Sequence, residues 1–155
     1  MTECATTFRY TREGVKMTGK FRLASETGES KFDWGSLRWM SNQQSTGASN
    51  ITAFEATILP GKGHSFHKHT RQEEVLYVVA GQIEQWIDRE KRILGPGDSA
   101  FMPSEVVHAS FNAGKSDAKM VVIFSPCIGE IGFESIELGN EAPWNTLRAA
   151  WSGAL

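Results

Sequence analysis

Four side chains carry most of the chemistry this sequence can do: His67, His69, Glu74 and His108. Histidine is scarce, and three of its four occurrences, His64, His67 and His69, fall within six positions. In an extended strand, residues two apart point to the same face, with Cα atoms ~6.5–7 Å apart. His67 and His69 can therefore aim both imidazoles at one point. Glu74 opens the next apolar stretch, EVLYVVA, and can bring a carboxylate there. His108 lies in a later strand-like stretch and can close the set from across a sheet. Three imidazoles and a carboxylate suit a borderline divalent ion: Fe, Mn, Ni, Co, Cu or Zn. An isolated H-x-H is weak evidence, so the case depends on what surrounds it. By the same parity, His64 points away from His67 and is expected to be at most a hydrogen-bonding neighbour of the site.

The elements that must position these groups read as β-strands. From Trp34 onward, short stretches rich in β-branched and aromatic residues alternate with Gly, Pro, Asn and Asp. The pattern predicts strands over Trp34–Met40, Ile51–Leu59, a segment carrying His67 and His69, Glu74–Ala80, Gln82–Asp88, Ile93–Leu94 after a charged turn at Arg89–Arg92, Ser99–Met102, Val106–Phe111 and Lys119–Ser125. Many short strands with frequent turns indicate an all-β sandwich or barrel. Residues 1–33 are weakly patterned and read as an N-terminal arm, 34–126 as the barrel, and 127–155 as a C-terminal extension. A short helix is expected there, from Trp144, Leu147 and Trp151 with Pro143 in its first turn.

The spacing of the chemical residues resembles the cupin superfamily. Its first motif has Gly, five residues, H-x-H, three or four residues, Glu, six residues and Gly; here these are Gly61, His67, His69, Glu74 and Gly81. Its second has Gly, five residues, P-x-G, two residues, His, three residues and Asn; here these are Gly97, Pro103, His108 and Asn112. Glu105 stands where the second motif has Gly, which places a residue poorly suited to positive φ in the turn before His108. Glu73 also fits the spacing from His69 but misses the spacing to Gly81, so Glu74 is the better ligand. The resemblance implies a double-stranded β-helix (cupin jelly-roll barrel), one divalent transition metal on His67, His69, Glu74 and His108, and dioxygenase-like chemistry with Glu74 as both ligand and catalytic base. Leu76 and Val78, in parity with Glu74, would form an apolar wall, with Trp86, Phe101 and Met102 as further lining. Two alternatives stay open: a non-redox metal-dependent isomerase or lyase, and a non-catalytic small-molecule binding or sensor protein.

Composition limits the partners. The 155 residues suffice for one domain with its own core, at 40% hydrophobic and 22% charged. A net charge of -2 gives no reason to expect nucleic acid. The longest plain apolar run, Val75–Ala80, is far too short for a membrane helix. The N-terminus lacks the apolar core of a secretory signal, and Cys4 and Cys127 read as free thiols, so a cytoplasmic location is expected. The expected partners are a small-molecule ligand or substrate and a second copy in a homodimer.

Overall fold

The computed structural model describes residues 19–148. Its strands are β1 Glu29–Phe32, β2 Gly35–Ser41, β3 Thr52–Ile58, β4 Gly63–Lys68, β5 Glu73–Ala80, β6 Ile83–Ile87, β7 Glu90–Leu94, β8 Ser99–Met102, β9 His108–Asn112, β10 Ala118–Ser125 and β11 Ile136–Glu137. Two helices of one turn, α1 Gln43–Thr46 and α2 Trp144–Leu147, complete it. One antiparallel sheet runs β1-β2-β3-β10-β5-β8 and the other β11-β4-β9-β6-β7. This is the all-β two-sheet architecture that the strand pattern anticipates, and the jelly roll that the family resemblance implies.

Alternation along the strands builds the core between the sheets. On β3, Thr52, Phe54, Ala56 and Ile58 face inward; on β5, Glu74, Leu76 and Val78; on β10, Ala118, Met120, Val122 and Phe124. The middle of this set is apolar and fully dehydrated, each large side chain contributing about 1.5–3 kcal/mol on burial. A smaller cluster of Phe66, Trp86 and Ala109 lies on the other side of the second sheet, covered by Trp144 and Leu147 of α2. The C-terminal helix thus flanks an apolar surface within its described turn; Trp151 and Cys4 lie outside the described residues. Cys127 is a half-buried free thiol. No helix among the described residues is long and apolar enough to cross a membrane.

Three local differences from the sequence expectation have physical causes. The Arg89–Arg92 stretch is strand rather than turn: β7 begins at Glu90, and Asp88, at φ 51°, carries the tight hairpin. Its charges fit because β7 is an exposed sheet edge. β1 forms within the segment read as an arm, with Phe32 opposite Gly35 across a two-residue connection. Finally, β9 starts at His108, not Val106, because Glu105 adopts φ 68° and holds a turn there. The left-handed backbone that the motif's Gly would supply is therefore kept with a Glu in its place. Its N–H donates to the His69 carbonyl (2.8 Å) and its carboxylate pairs with Lys68.

A left-handed non-glycine residue costs roughly 1–2 kcal/mol, whereas an exposed ion pair contributes about 0–1. Replacing Glu105 with Gly is therefore expected to stabilise the protein by about 0.5–1 kcal/mol, visible as a rise of about 1–4 °C in melting temperature. A lower melting temperature for the variant would show that the Lys68 pair outweighs the backbone strain.

Candidate metal centre

Each of the four residues is positioned by a different piece of backbone. His67 on β4 and His108 on β9 are direct cross-strand partners. His69 lies just beyond the end of β4, and Glu74 faces them from β5 of the opposite sheet. All four are buried, between 1% and 5% exposed. One candidate ligand atom from each lies within 4.8 Å of all the others. Glu73, the weighed alternative, is exposed on the outer face.

The ring orientations are fixed from behind. The Nδ1 atoms of His67, His69 and His108 lie 2.7, 2.6 and 2.9 Å from the carbonyls of Ser65, Glu134 and Val106. A carbonyl only accepts, so each Nδ1 carries the proton and each neutral ring presents an Nε2 lone pair. His108 Nε2 stands 2.9 Å from Glu74 Oε2, and His69 Nε2 stands 3.2 Å from the same oxygen. Two lone pairs cannot face each other at such a distance without a cation between them. That cation is a proton on an imidazole or a metal ion shared by the set. His69 Nε2 also lacks a hydrogen bond of acceptable direction, despite its distance to Glu74. A buried nitrogen without a partner is costly, and a divalent ion satisfies it. The donor set, the fixed tautomers and the orphaned nitrogen all fit a borderline divalent metal.

Electrostatics point the same way. Burial and the neighbouring His64 and His108 rings hold His67 well below the usual imidazole range, so it stays neutral and ligand-ready. For His108, burial opposes the charge, but the hydrogen bond and attraction of Glu74 win and raise it. For Glu74, burial alone would raise the carboxyl, yet the hydrogen bond from His108 and the pull of the neighbouring imidazoles hold it far below the carboxylate range. Without metal, the favoured charge state is a His108 imidazolium beside a Glu74 carboxylate.

Sequence reasoning misplaced His64. The pairing of β4 with β9 shifts register between His64 and His67: His64 lies opposite Ser110 and His67 opposite His108. This β-bulge inserts one residue on β4 and reverses the parity that would turn His64 away. His64 instead stacks on His67, with ring centroids 3.8 Å apart, and its Nε2 meets Glu137 Oε1 of β11 at 3.2 Å. The expected lining also needs correction. A cavity of about 70 Å³ beside the cluster is lined by Trp34, Leu37, Phe54, Ala56, Ile58, His64, Ser110, Met120, Val122, Phe124 and Phe133. Leu76, Val78 and Met102 are packed in the core instead, Trp86 belongs to the outer cluster, and Phe101 is half exposed. Parity places Leu76 and Val78 inward, but the cavity opens toward β2, β3 and β10.

Two further positions escaped the sequence. Gln72, 1% exposed, donates to the carbonyls of Pro126 (2.7 Å) and Gly132 (3.0 Å) and accepts from the Glu134 N–H (3.0 Å). It thereby pins the segment whose Glu134 carbonyl orients His69. Phe133 on that segment stacks on Phe124, centroids 4.9 Å apart, and closes the aromatic side of the cavity. A buried Gln between His69 and Glu74 was the available signal, but its partners lie 54 to 62 residues away.

Linkage gives the sign of the pH dependence. Depressed His67 contributes stability above its unfolded value of about 6.5 that is lost as pH falls. Raised His108 contributes below that value, and its share is lost as pH rises through its folded pKa. Metal can use His108 only after displacing its proton. Around pH 6, uptake of Zn(II) should release about one proton. That release should fade once the pH passes the raised pKa of His108, as read by calorimetry in buffers of different ionisation enthalpy. Uptake that releases no proton anywhere in this range would contradict the His108–Glu74 pairing. His108→Ala should weaken metal binding by more than about 100-fold, beyond the loss typical of an outer supporting contact.

The cupin domain family model matches residues 54–124, the stretch that holds all four cluster residues. The chain is 33% identical over 92 residues to polyketide synthase CurC of Streptomyces cyaneus, covering 59% of this chain and 60% of that protein. It is 30% identical over 92 residues to protein SchB of Streptomyces halstedii, covering 59% of this chain and 67% of that one. The chain thus spans about three fifths to two thirds of the length of these curated relatives. Among solved structures, KdgF from Halomonas sp. superposes with a TM-score of 0.64 at 25% identity, covering 70% of this chain and 94% of KdgF. With the motif spacing, the two-sheet jelly roll and these matches in agreement, the chain belongs to the cupin superfamily.

Proposed function

We propose that this protein is a metal-dependent enzyme of dioxygenase type, acting on a small organic substrate at a divalent transition metal held by His67, His69, Glu74 and His108. The carrying observation is the convergence of three Nε2 lone pairs and a carboxylate beside a cavity with an apolar wall. A purely structural ion needs no cavity, whereas a catalytic one needs space for substrate next to it. The bound ion supplies a Lewis acid that polarises a substrate oxygen. The protein supplies the rest. The carbonyls of Ser65, Glu134 and Val106 keep the three imidazoles in one tautomer. Phe124 and Phe133 exclude water from the site, and the apolar wall orients the carbon skeleton and admits dioxygen, an apolar gas. The name of the CurC relative supports a polyketide or a similar carbonyl- and hydroxyl-bearing carbon chain as substrate.

Glu74 is the proposed base as well as a ligand. A carboxylate held below its usual range is a weak base. It would take up a proton only where its pairing with His108 and its hold on the ion are released. A non-redox isomerase or lyase would use the same residues with no need for oxygen.

Metal analysis followed by anaerobic reconstitution with Fe(II) tests the reading. Oxygen consumption on addition of an enolic, diol or phenolic compound is expected. Glu74→Gln should abolish turnover even where some metal is retained, since it keeps the volume and removes both the charge and the base. Turnover indifferent to oxygen would replace the dioxygenase reading with the Lewis-acid one. A chain that takes up none of these metals would end both.

A further inference from the structure

The cavity beside the cluster has two unlike walls. Leu37, Phe54, Ile58, Met120 and Val122 make one of them wholly apolar. On the other, His64 and Ser110 face each other as cross-strand partners on β4 and β9. The hydrogen bonding of these two decides what they offer a ligand. His64 Nε2 lies 3.2 Å from Glu137 Oε1, an oxygen that also accepts from Ser135 Oγ at 2.9 Å. An ionised carboxylate only accepts, so His64 donates through Nε2, and in the neutral ring Nδ1 is left as a lone pair. Ser110 Oγ, on a residue 5% exposed, donates its proton to Gln85 Oε1 at 2.6 Å. Its remaining capacity is also to accept. Gln85 cannot reverse the pair, because its amide nitrogen is committed to the Trp86 carbonyl at 3.0 Å.

Outside the metal cluster and the indole of Trp34, the polar groups on this cavity are therefore acceptors. Among the described residues, no lysine or arginine lines it. Such a lining repels phosphate and carboxylate oxygens, which also only accept. It favours a group that brings its own proton. About 70 Å³ of space holds a small ring or chain end, and Trp34, Phe54, Phe124 and Phe133 give it aromatic company.

We propose that His64 is a substrate-recognition residue, oriented by Glu137 and seconded by Ser110, that accepts a hydrogen bond from a hydroxyl of an uncharged, ring-bearing small molecule. This deepens the enzyme reading by naming the substrate class, and it excludes phosphorylated and polyanionic substrates. Glu137 acts through His64 as a positioning residue.

The test uses the full chain, metal-free and loaded with Zn(II), titrated with phenol, anisole and inorganic phosphate and followed by amide NMR shifts of cavity residues. Anisole keeps the ring and the oxygen but has no proton to donate. The parent should prefer phenol over anisole by about fivefold, the worth of one ordinary hydrogen bond. His64→Leu combined with Ser110→Ala should bring that ratio to about one while changing anisole affinity less than about twofold, as expected where only the hydrogen bond is lost. His64→Gln, whose amide oxygen still accepts, should retain part of the preference. Glu137→Leu should lower the preference without weakening anisole. In the metal-free protein, equal binding of phenol and anisole by the parent, a preference that survives the double variant, or phosphate bound in the cavity would each overturn the proposal. Should the double variant not fold, the parent's ratio and its response to phosphate still decide. A chain that takes up no zinc would defeat the metal reading alone, since the ratio for metal-free protein judges this proposal independently.

Discussion

The structure depends on one electrostatic constraint: three imidazole lone pairs and a carboxylate share a dehydrated space a few ångströms across. The backbone carbonyls behind the rings remove the usual escape of a tautomer change. Without a cation the arrangement would be repulsive and largely unsolvated. With a proton it becomes the His108–Glu74 pair, which leaves the His69 nitrogen without a well-directed partner. With a divalent ion all four donors are satisfied at once. The fold therefore stores its site as an unfavourable charge arrangement whose relief is binding.

Such a site needs a scaffold that stays folded regardless of occupancy. Here the apolar core between the sheets lies along β3, β5 and β10, beginning one residue pair below Glu74 with Leu76 and Val122. The cross-strand Asn112 closes the other end: its amide nitrogen donates to the Ile58 and Ser116 carbonyls, both at 2.8 Å, and its oxygen accepts from Gly114 N–H at 2.8 Å. That residue belongs to the second motif by spacing, yet its work is to hold a turn. A motif read from sequence thus mixes residues that meet a ligand with residues that shape the backbone around it.

Alternation made the strands and the inward set legible, because burial of every second side chain is a strong, local signal. The ligand cluster was legible through motif spacing. Three kinds of feature were not. His64 was misread because a bulge reverses parity and leaves no mark in composition. The charged run Glu90–Arg92 read as a turn because an exposed edge strand has no apolar face to betray it. Gln72, Glu134 and Phe133 were missed because they work as a set only after residues 60 positions apart meet. Parity also proved incomplete as a guide to lining: it separates inside from outside but does not say which inward residues border the cavity, so Leu76 and Val78 went to the core.

Three irregularities of the β-framework lie where the candidate ligands converge. β4 bulges between His64 and His67, His69 lies past the strand end, and Glu105 takes a left-handed turn just before His108. A regular pleat puts residues two apart on one face, so His64 and His67, three apart, share a face only because of the bulge. The bulge on β4 brings His64 onto the cavity beside His67. The bulge that spoils the sequence prediction is therefore also what joins His64 to the site. Local rules of strand geometry fail at these positions, as they commonly do beside functional sites.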